Sequence, residues 1–298
     1  MALSNFSGRL WTTIRRWFPS PPVSPGAASW GGSGTDAALA TSDEIRGQVT
    51  RIRQAPGLAL LLDYDGTLVP FTPTPDQATP DPELLVLLGA LVARPATGVH
   101  LVSGRHKERL EAWFGALPVG LHAEHGAWSR EASGGEWQGH EDVQPVLSDD
   151  LLALVNRYTE RTPGSLIERK SAGLAWHYRL APPNLALSNA QAMVEEVRRR
   201  FTPGTVGVLL GEKVVEFRPA GIHKGLIVTR LLKAERPGAM FVAVGDDATD
   251  EDMFAALPPD GVSVHVGPRP SRASVRLRDV AACRQFLMDI LRSSDEWT

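Results

Sequence analysis

The sequence predicts an α/β fold, a parallel sheet covered on both faces, with an α+β unit set into it. Three observations carry this. The strand candidates "LALLLDYD", "TGVHLVSGR", "MFVAVGDD" and "VSVHVG" are apolar throughout instead of alternating, as strands buried on both faces are. Between them lie segments with helical spacing, such as Leu84, Leu87, Leu88 and Leu91 in "DPELLVLLGALVAR". The alternation stops near residue 128, gives way to hairpins and capped helices, and resumes near residue 218.

In chain order, Ser42 caps a helix over "DEIRGQVTRIRQAP", which ends at Pro56. A strand, the leucine-spaced helix, the strand "TGVHLVSGR", the helix "HKERLEAWFG" and a strand in "VGLHAEHGAW" follow. In the middle, "SDDLLALVNRYTERTPG" and "LSNAQAMVEEVRRRFTPG" read as helices stopped by Pro-Gly. Between them "SLIERKSAGLAWHYRL" folds back at Ser171-Ala172-Gly173, and "TVGVLLGEKVVEFRP" turns at Gly211. Then come the helix "HKGLIVTRLLKA", the strand "MFVAVGDD", the helix "TDEDMFAAL", the strand "VSVHVG" and a terminal helix. The boundaries are therefore a tail over 1–41, a core domain over 42–127 and 218–298, and an α+β insertion over 128–217.

Composition narrows the function. With 298 residues, 43% hydrophobic content and a net charge of -3, the chain can bury a core and has no basic excess to recruit nucleic acid. No apolar segment approaches the length of about 20 residues that spans a bilayer as a helix. The single cysteine, Cys283, excludes a disulfide within the chain and fits a reducing, cytoplasmic setting; its neighbours "VAACRQFLMDIL" have helical spacing, so the thiol reads as buried. The first 18 residues carry Arg9, Arg15 and Arg16 without an acid, and Leu10, Trp11, Ile14 and Trp17 could share one face; the stretch reads as a flexible tail.

Chemistry concentrates at strand ends. Asp63 and Asp65 close the first apolar run and are followed by Gly66-Thr67, where a parallel sheet binds its ligands. "GDDATDEDMF" places five carboxylates in seven positions behind "FVAV". If these two strand ends are neighbours, Asp63, Asp65 and Asp246 converge, and a hard divalent cation such as Mg²⁺ relieves their repulsion. Thr249 can cap the following helix, with Asp250, Glu251 and Asp252 in its first turn, favoured there by roughly 0.3–1 kcal/mol each. Ser103-Gly104 ends another strand at a helix start, and Lys224 begins a later helix; together they suit a phosphate, although singly they read as a cap and a surface lysine.

D-x-D-G-T, a strand-terminal serine, a lysine and G-D-D-x-x-D, in this order, resemble the haloacid dehalogenase superfamily over about residues 55–298. "LLLDYDGTLVPF", "LVSGR", "LHAEHGAW", "IERKSAGLAWHYR", "VVEFRPAGIHKG" and "VGDDATDEDMF" further resemble trehalose-6-phosphate phosphatases. The resemblance implies a Rossmann-like core with an α+β cap and Mg²⁺-dependent release of trehalose from trehalose 6-phosphate. It makes Asp63 the nucleophile and Asp65 the general acid and base, with Asp65 binding metal through its backbone carbonyl. Asp246 completes the metal site, and Asp250 either binds metal directly or supports it; Asp247 orients Lys224 or a water. Ser103, Gly104, Arg105 and Lys224 hold the phosphoryl group. Glu168, Lys170, His177, Arg179 and Glu216, on the cap hairpins, read the sugar, with Glu168, Lys170 and Glu216 as the central group. Sucrose phosphate and glucosyl- or mannosyl-phosphoglycerate are the alternative substrates. A catalytically idle sensor, or a partner of a trehalose-phosphate synthase, is the alternative from another class.

Overall fold

The computed structural model describes residues 39–132, 134–140, 146–202, 204–211, 213–234 and 238–292; the tail segment around Trp11 lies outside them. Helix α1 (Ser42–Gln54) starts one residue earlier than Ser42 suggests. Thr41 is its cap, accepting from the Glu44 amide while the Glu44 carboxylate accepts from the Thr41 amide at 2.7 Å. A reciprocal box needs the acid three residues after the cap, which selects Thr41 over Ser42.

Strand β1 (Gly57–Leu62) is buried along its whole length, and its alternate residues serve different layers. Leu58, Leu60 and Leu62 pack with Ile52 of α1, with Leu84, Leu87, Leu88 and Leu91 of α2 (Pro82–Ala93), and with Phe286 and Leu287. Ala59 and Leu61 face the opposite side, where Ile227, Val228, Met253 and Phe254 lie. A strand with helices on both faces has no polar side to offer, which is why its sequence does not alternate.

The core sheet runs through β2 (Thr97–Val102), β3 (Gly120–Ala123), β4 (Trp128–Arg130), β5 (Gln138–Gly139), β10 (Ala239–Gly245), β11 (Val262–Val266) and β12 (Val275–Leu277), in the order β12-β11-β10-β1-β2-β3-β4-β5. The six strands from β12 to β3 are parallel, whereas β4 and β5 are antiparallel. Helix α3 (Lys107–Phe114) follows β2, α6 (Gly225–Ala234) precedes β10, α7 (Glu251–Ala256) precedes β11, and α8 (Val280–Leu291) ends the fold with Cys283 buried in it.

Two sequence boundaries shift. Residues 128–130 and 138–139, within the stretch read as the start of the insertion, pair with the core sheet. "VGLHAEHGAW" is not one strand: Glu124, His125 and Gly126 take φ values of 49°, 59° and 101°, and this left-handed step turns the chain back into β4. The insertion is a second layer pair, with α4 (Asp149–Glu160) and α5 (Pro183–Arg200) on an antiparallel sheet of order β6-β7-β9-β8 (Leu166–Arg169, Leu174–His177, Val214–Pro219 and Val206–Gly211 respectively). Its helix-facing side is sealed by Leu154, Met193, Trp176, Val215 and Phe217.

This second core is separate from the first. Phe217 is 1% exposed, and Phe217→Ala should cost about 3–5 kcal/mol in urea unfolding of the cap. A loss below about 1 kcal/mol would mean that the cap has no well-packed core of its own.

Candidate active site

Register brings the motifs together. Leu62 of β1 pairs with Val244 of β10 on one side and with Leu101 of β2 on the other, so Asp63, Asp246 and Ser103 emerge side by side at the carboxyl edge. The Asp63 amide donates to the Val244 carbonyl at 2.9 Å. Gly66, at φ 85°, turns the chain at that edge, and a Cβ there would lie 2.4 Å from an Asp246 carboxylate oxygen. Glycine is therefore required for both the backbone angle and the approach of Asp246.

Asp63, Asp246 and Asp250 are buried, each offering a carboxylate oxygen within 4.8 Å of the others. The Lys224 ammonium donates to Asp63 at 2.6 Å and to Asp250 at 2.8 Å, and the Thr67 hydroxyl stands 3.0 Å from Asp63 and 3.2 Å from Asp246. Against the downward push of burial, the Asp250 and Asp63 charges hold the Lys224 pKa well above its usual value. Burial and then the Asp63, Asp250 and Asp247 charges push Asp246 up to about 10. One lysine does not neutralise this much buried negative charge, so the donor set fits a hard divalent cation bound by oxygen.

The acids of "GDDATDEDMF" separate by partner. Asp250 spends one oxygen on the Asp246 and Asp247 amides, at 2.9 and 3.1 Å, and the other on Lys224, so it shapes the loop as well as facing the cluster. Thr249 does not cap α7. Its hydroxyl and amide both donate to Asp247, which thereby turns to Thr249 and makes no hydrogen bond with Lys224 among the described contacts. Glu251 accepts from Ser271 and Arg272 across the loop.

Asp65 departs from the expected convergence. Its carboxylate is gripped by Arg105 at 2.6 and 2.7 Å, and Arg105 stacks on Trp113 with its guanidinium 4.8 Å from the ring centre. Arg105, expected on the phosphoryl group, is thus a bidentate partner of Asp65 in this arrangement. Ser103 is buried, and its hydroxyl accepts from the Arg105 amide.

The cap supplies the opposite wall of a cavity of about 160 Å³ lined by Asp63, Asp65, Ser103, Lys224, Glu168, Lys170, His177, Arg179 and Glu216; Asp246 and Asp250 sit behind that lining. Glu168 and Glu216 flank Ala175 in one row of the sheet, on the face away from α4 and α5, as two-residue alternation requires. Lys170 donates to Glu216 at 3.0 Å, and His177 pairs with Glu168 at 2.7 Å. Glu216 is held well below the usual carboxylate range because, against the raising effect of burial, Lys170 and His125 favour its charge. Arg179 lies over Phe71 of the core at the rim.

A sequence profile of the trehalose-phosphatase family matches residues 61–281. The chain belongs to the trehalose-phosphatase family. It is 43% identical over 228 residues to a bifunctional trehalose-6-phosphate synthase/phosphatase of Thermoproteus tenax, a match covering 76% of this chain and 31% of that one. It is 35% identical over 227 residues to a trehalose-phosphatase of Saccharomyces cerevisiae, covering 69% and 25%. The chain thus spans about a third or less of the length of these curated relatives. The C-terminal domain of Candida albicans trehalose-6-phosphate phosphatase superposes with a TM-score of 0.80 at 28% identity, over 87% of this chain and 99% of that one. A haloacid dehalogenase-like hydrolase from Bacteroides thetaiotaomicron, at 17% identity and TM-score 0.53 over 78% and 99%, shares the fold.

In this trehalose-phosphatase family chain, residue-by-residue reading passed over Thr67, Phe71, Glu124 and His125 as site or cap-facing residues. "HAEHGAW" was visible as a family segment, but nothing in its local pattern says that Glu124 and His125 face the cap. Glu124 accepts from the Ser171 hydroxyl at 2.9 Å and from the Ser171 and Ala172 amides at 3.2 and 3.1 Å, clasping the cap's first hairpin turn. His106 reinforces the clasp, with Nδ1 3.3 Å from Glu124 and Nε2 against the Arg169 carbonyl. No helix among the described residues is long and apolar enough to cross a membrane.

The hydrogen bond to Glu124 raises the His106 pKa from 6.5 to about 8, against burial. The stabilisation that its charge contributes is therefore complete below about pH 6.5 and lost as pH rises through about 8. The Tm difference between the parent chain and His106→Asn should shrink across that window; a difference independent of pH would exclude a charged clasp.

Proposed function

We propose that this chain is a Mg²⁺-dependent phosphatase that converts trehalose 6-phosphate into trehalose and phosphate through an aspartyl-phosphate. The observation that carries the reading is the placement of Asp63. It is a buried carboxylate at a strand end, paired with Lys224 and set in one cavity with the cap residues Glu168, Lys170 and Glu216.

An Asp63 oxygen attacks phosphorus as the bond to the sugar oxygen breaks, and Asp65, positioned by Arg105, gives that oxygen a proton. Asp65 then takes a proton from the water that cleaves the aspartyl-phosphate, regenerating Asp63 and releasing phosphate. Ser103 and Lys224 face the phosphoryl oxygens, and Lys224 lowers the cost of charge crowding at Asp63. Asp63, Asp246 and the Asp65 backbone carbonyl would hold Mg²⁺, with Asp250 supporting from behind; when bound, the cation offsets phosphoryl charge and keeps Asp63 ionised. Glu168, Lys170 and Glu216 offer acceptors and a donor to a neutral sugar, which can be read only through its hydroxyls. A trehalose-phosphate synthase is the partner this reading favours, because the Thermoproteus relative bears both activities in its name.

A panel of sugar phosphates with Mg²⁺ should show trehalose 6-phosphate as the preferred substrate. A wide preference for sucrose phosphate or a glycosyl-phosphoglycerate overturns the substrate, and no turnover of any leaves the sensor reading. Asp63→Asn should lower kcat by on the order of 10⁴-fold or more with the fold intact by circular dichroism. For the metal, Mg²⁺ at a hundredfold excess over its Kd should stabilise the parent chain by about 2.7 kcal/mol, and Asp246→Asn should abolish that shift. An unchanged shift in the variant places the cation elsewhere.

A further inference from the structure

Three consecutive residues between β3 and β4 have positive φ, and two of them, Glu124 and His125, are not glycine. Such residues persist where the surroundings over-determine them. Here the surroundings are the phosphate-side turn. The Glu124 amide donates to the Arg105 carbonyl and the His125 amide to the Ser103 carbonyl, both at 3.0 Å.

The left-handed step carries the His125 ring across to the cap. Nε2 is 2.7 Å from a Glu216 oxygen, the residue is 5% exposed, and Nδ1 is buried with no partner among the described atoms. Burial lowers the His125 pKa to about 4, so the ring is neutral and donates Nε2–H to the Glu216 carboxylate. Room for this exists because residue 104 has no side chain: a Cβ on Gly104 would lie 2.7 Å from Nε2.

We propose that His125 is a positioning residue that ties the phosphate-side turn of the core to Glu216 of the cap. Glu216 is thereby aimed at the sugar only when the cap is seated on the core. The inference rests on the sugar-phosphate reading above, although not on which sugar it is. No described hydrogen bond joins His125 to Asp63, and the described partner of its ring is Glu216 of the cap, so its contribution falls on sugar recognition. Lys170, another described partner of Glu216, belongs to the cap itself.

The test compares the parent chain, His125→Ala and His125→Gln with the best substrate of the sugar-phosphate panel, using orthovanadate as an inhibitor that probes the phosphate side alone. His125→Ala should raise KM about tenfold or more, the scale of one hydrogen bond to a charged group, with kcat and the vanadate Ki changed less than about threefold. His125→Gln, which keeps a side-chain N–H, should recover much of the KM. An unchanged KM, or a vanadate Ki that rises in step with KM, overturns the proposal. If His125→Ala loses the folded circular dichroism signal, KM is compared in a cycle of His125→Gln, Glu216→Gln and the double variant: effects that fail to add support the coupling, and additive effects overturn it. If the panel selects another sugar, the substrate assignment fails while the KM contrast still judges His125.

Discussion

The structure turns on how buried negative charge is held at the junction of β1 and β10. Asp63, Asp246 and Asp250 lie close enough to share one ion, and Lys224 reaches two of them. Carboxylates so crowded in a buried site repel strongly, and each neighbouring feature limits the cost. Thr67 spans Asp63 and Asp246, Asp250 spends an oxygen on two amides, and Gly66 bends the chain out of the way of Asp246. The parallel register of β1 and β10 is what makes this concentration of charge unavoidable. Oxygen donors crowded in this way fit a hard divalent cation.

The second constraint is that recognition and chemistry sit on different domains. The cap has its own core and presents Glu168, Lys170 and Glu216 on the face opposite its helices. Alone it would not know where Asp63 is. Contacts from the Glu124–His125 step and from His106 fix that relation at the hairpin turn, and the Arg179–Phe71 contact fixes it at the rim. Strained backbone at Glu124 and His125 is thus concentrated where two domains must keep a common geometry.

Much of the fold was legible because local rules govern it. Uninterrupted apolar runs marked the buried parallel strands, Pro-Gly pairs marked helix ends, and the hairpin at Ser171-Ala172-Gly173 formed where its small residues suggested. The errors were also local. Ser42 and Thr249 are plausible caps by residue type, but Thr41 has the glutamate at the right distance and Thr249 is taken by Asp247. Residues 128–130 and 138–139 were placed in the cap by the boundary alone, because nothing local in such short strands says which sheet they join.

The sequence by itself determined the kinds of element, their order and the acids that end the strands, since each depends on residues a few positions apart. Only the tertiary structure decided which side chains meet. Asp63 and Lys224 are 161 positions apart, and His125 and Glu216 are 91 apart. Asp65, two residues from Asp63, turned instead to Arg105, and Asp250 took the third place among the clustered acids. Period-two alternation says that neighbouring side chains diverge. It says nothing about which distant group will be waiting, because that is set by strand order and register across the whole sheet.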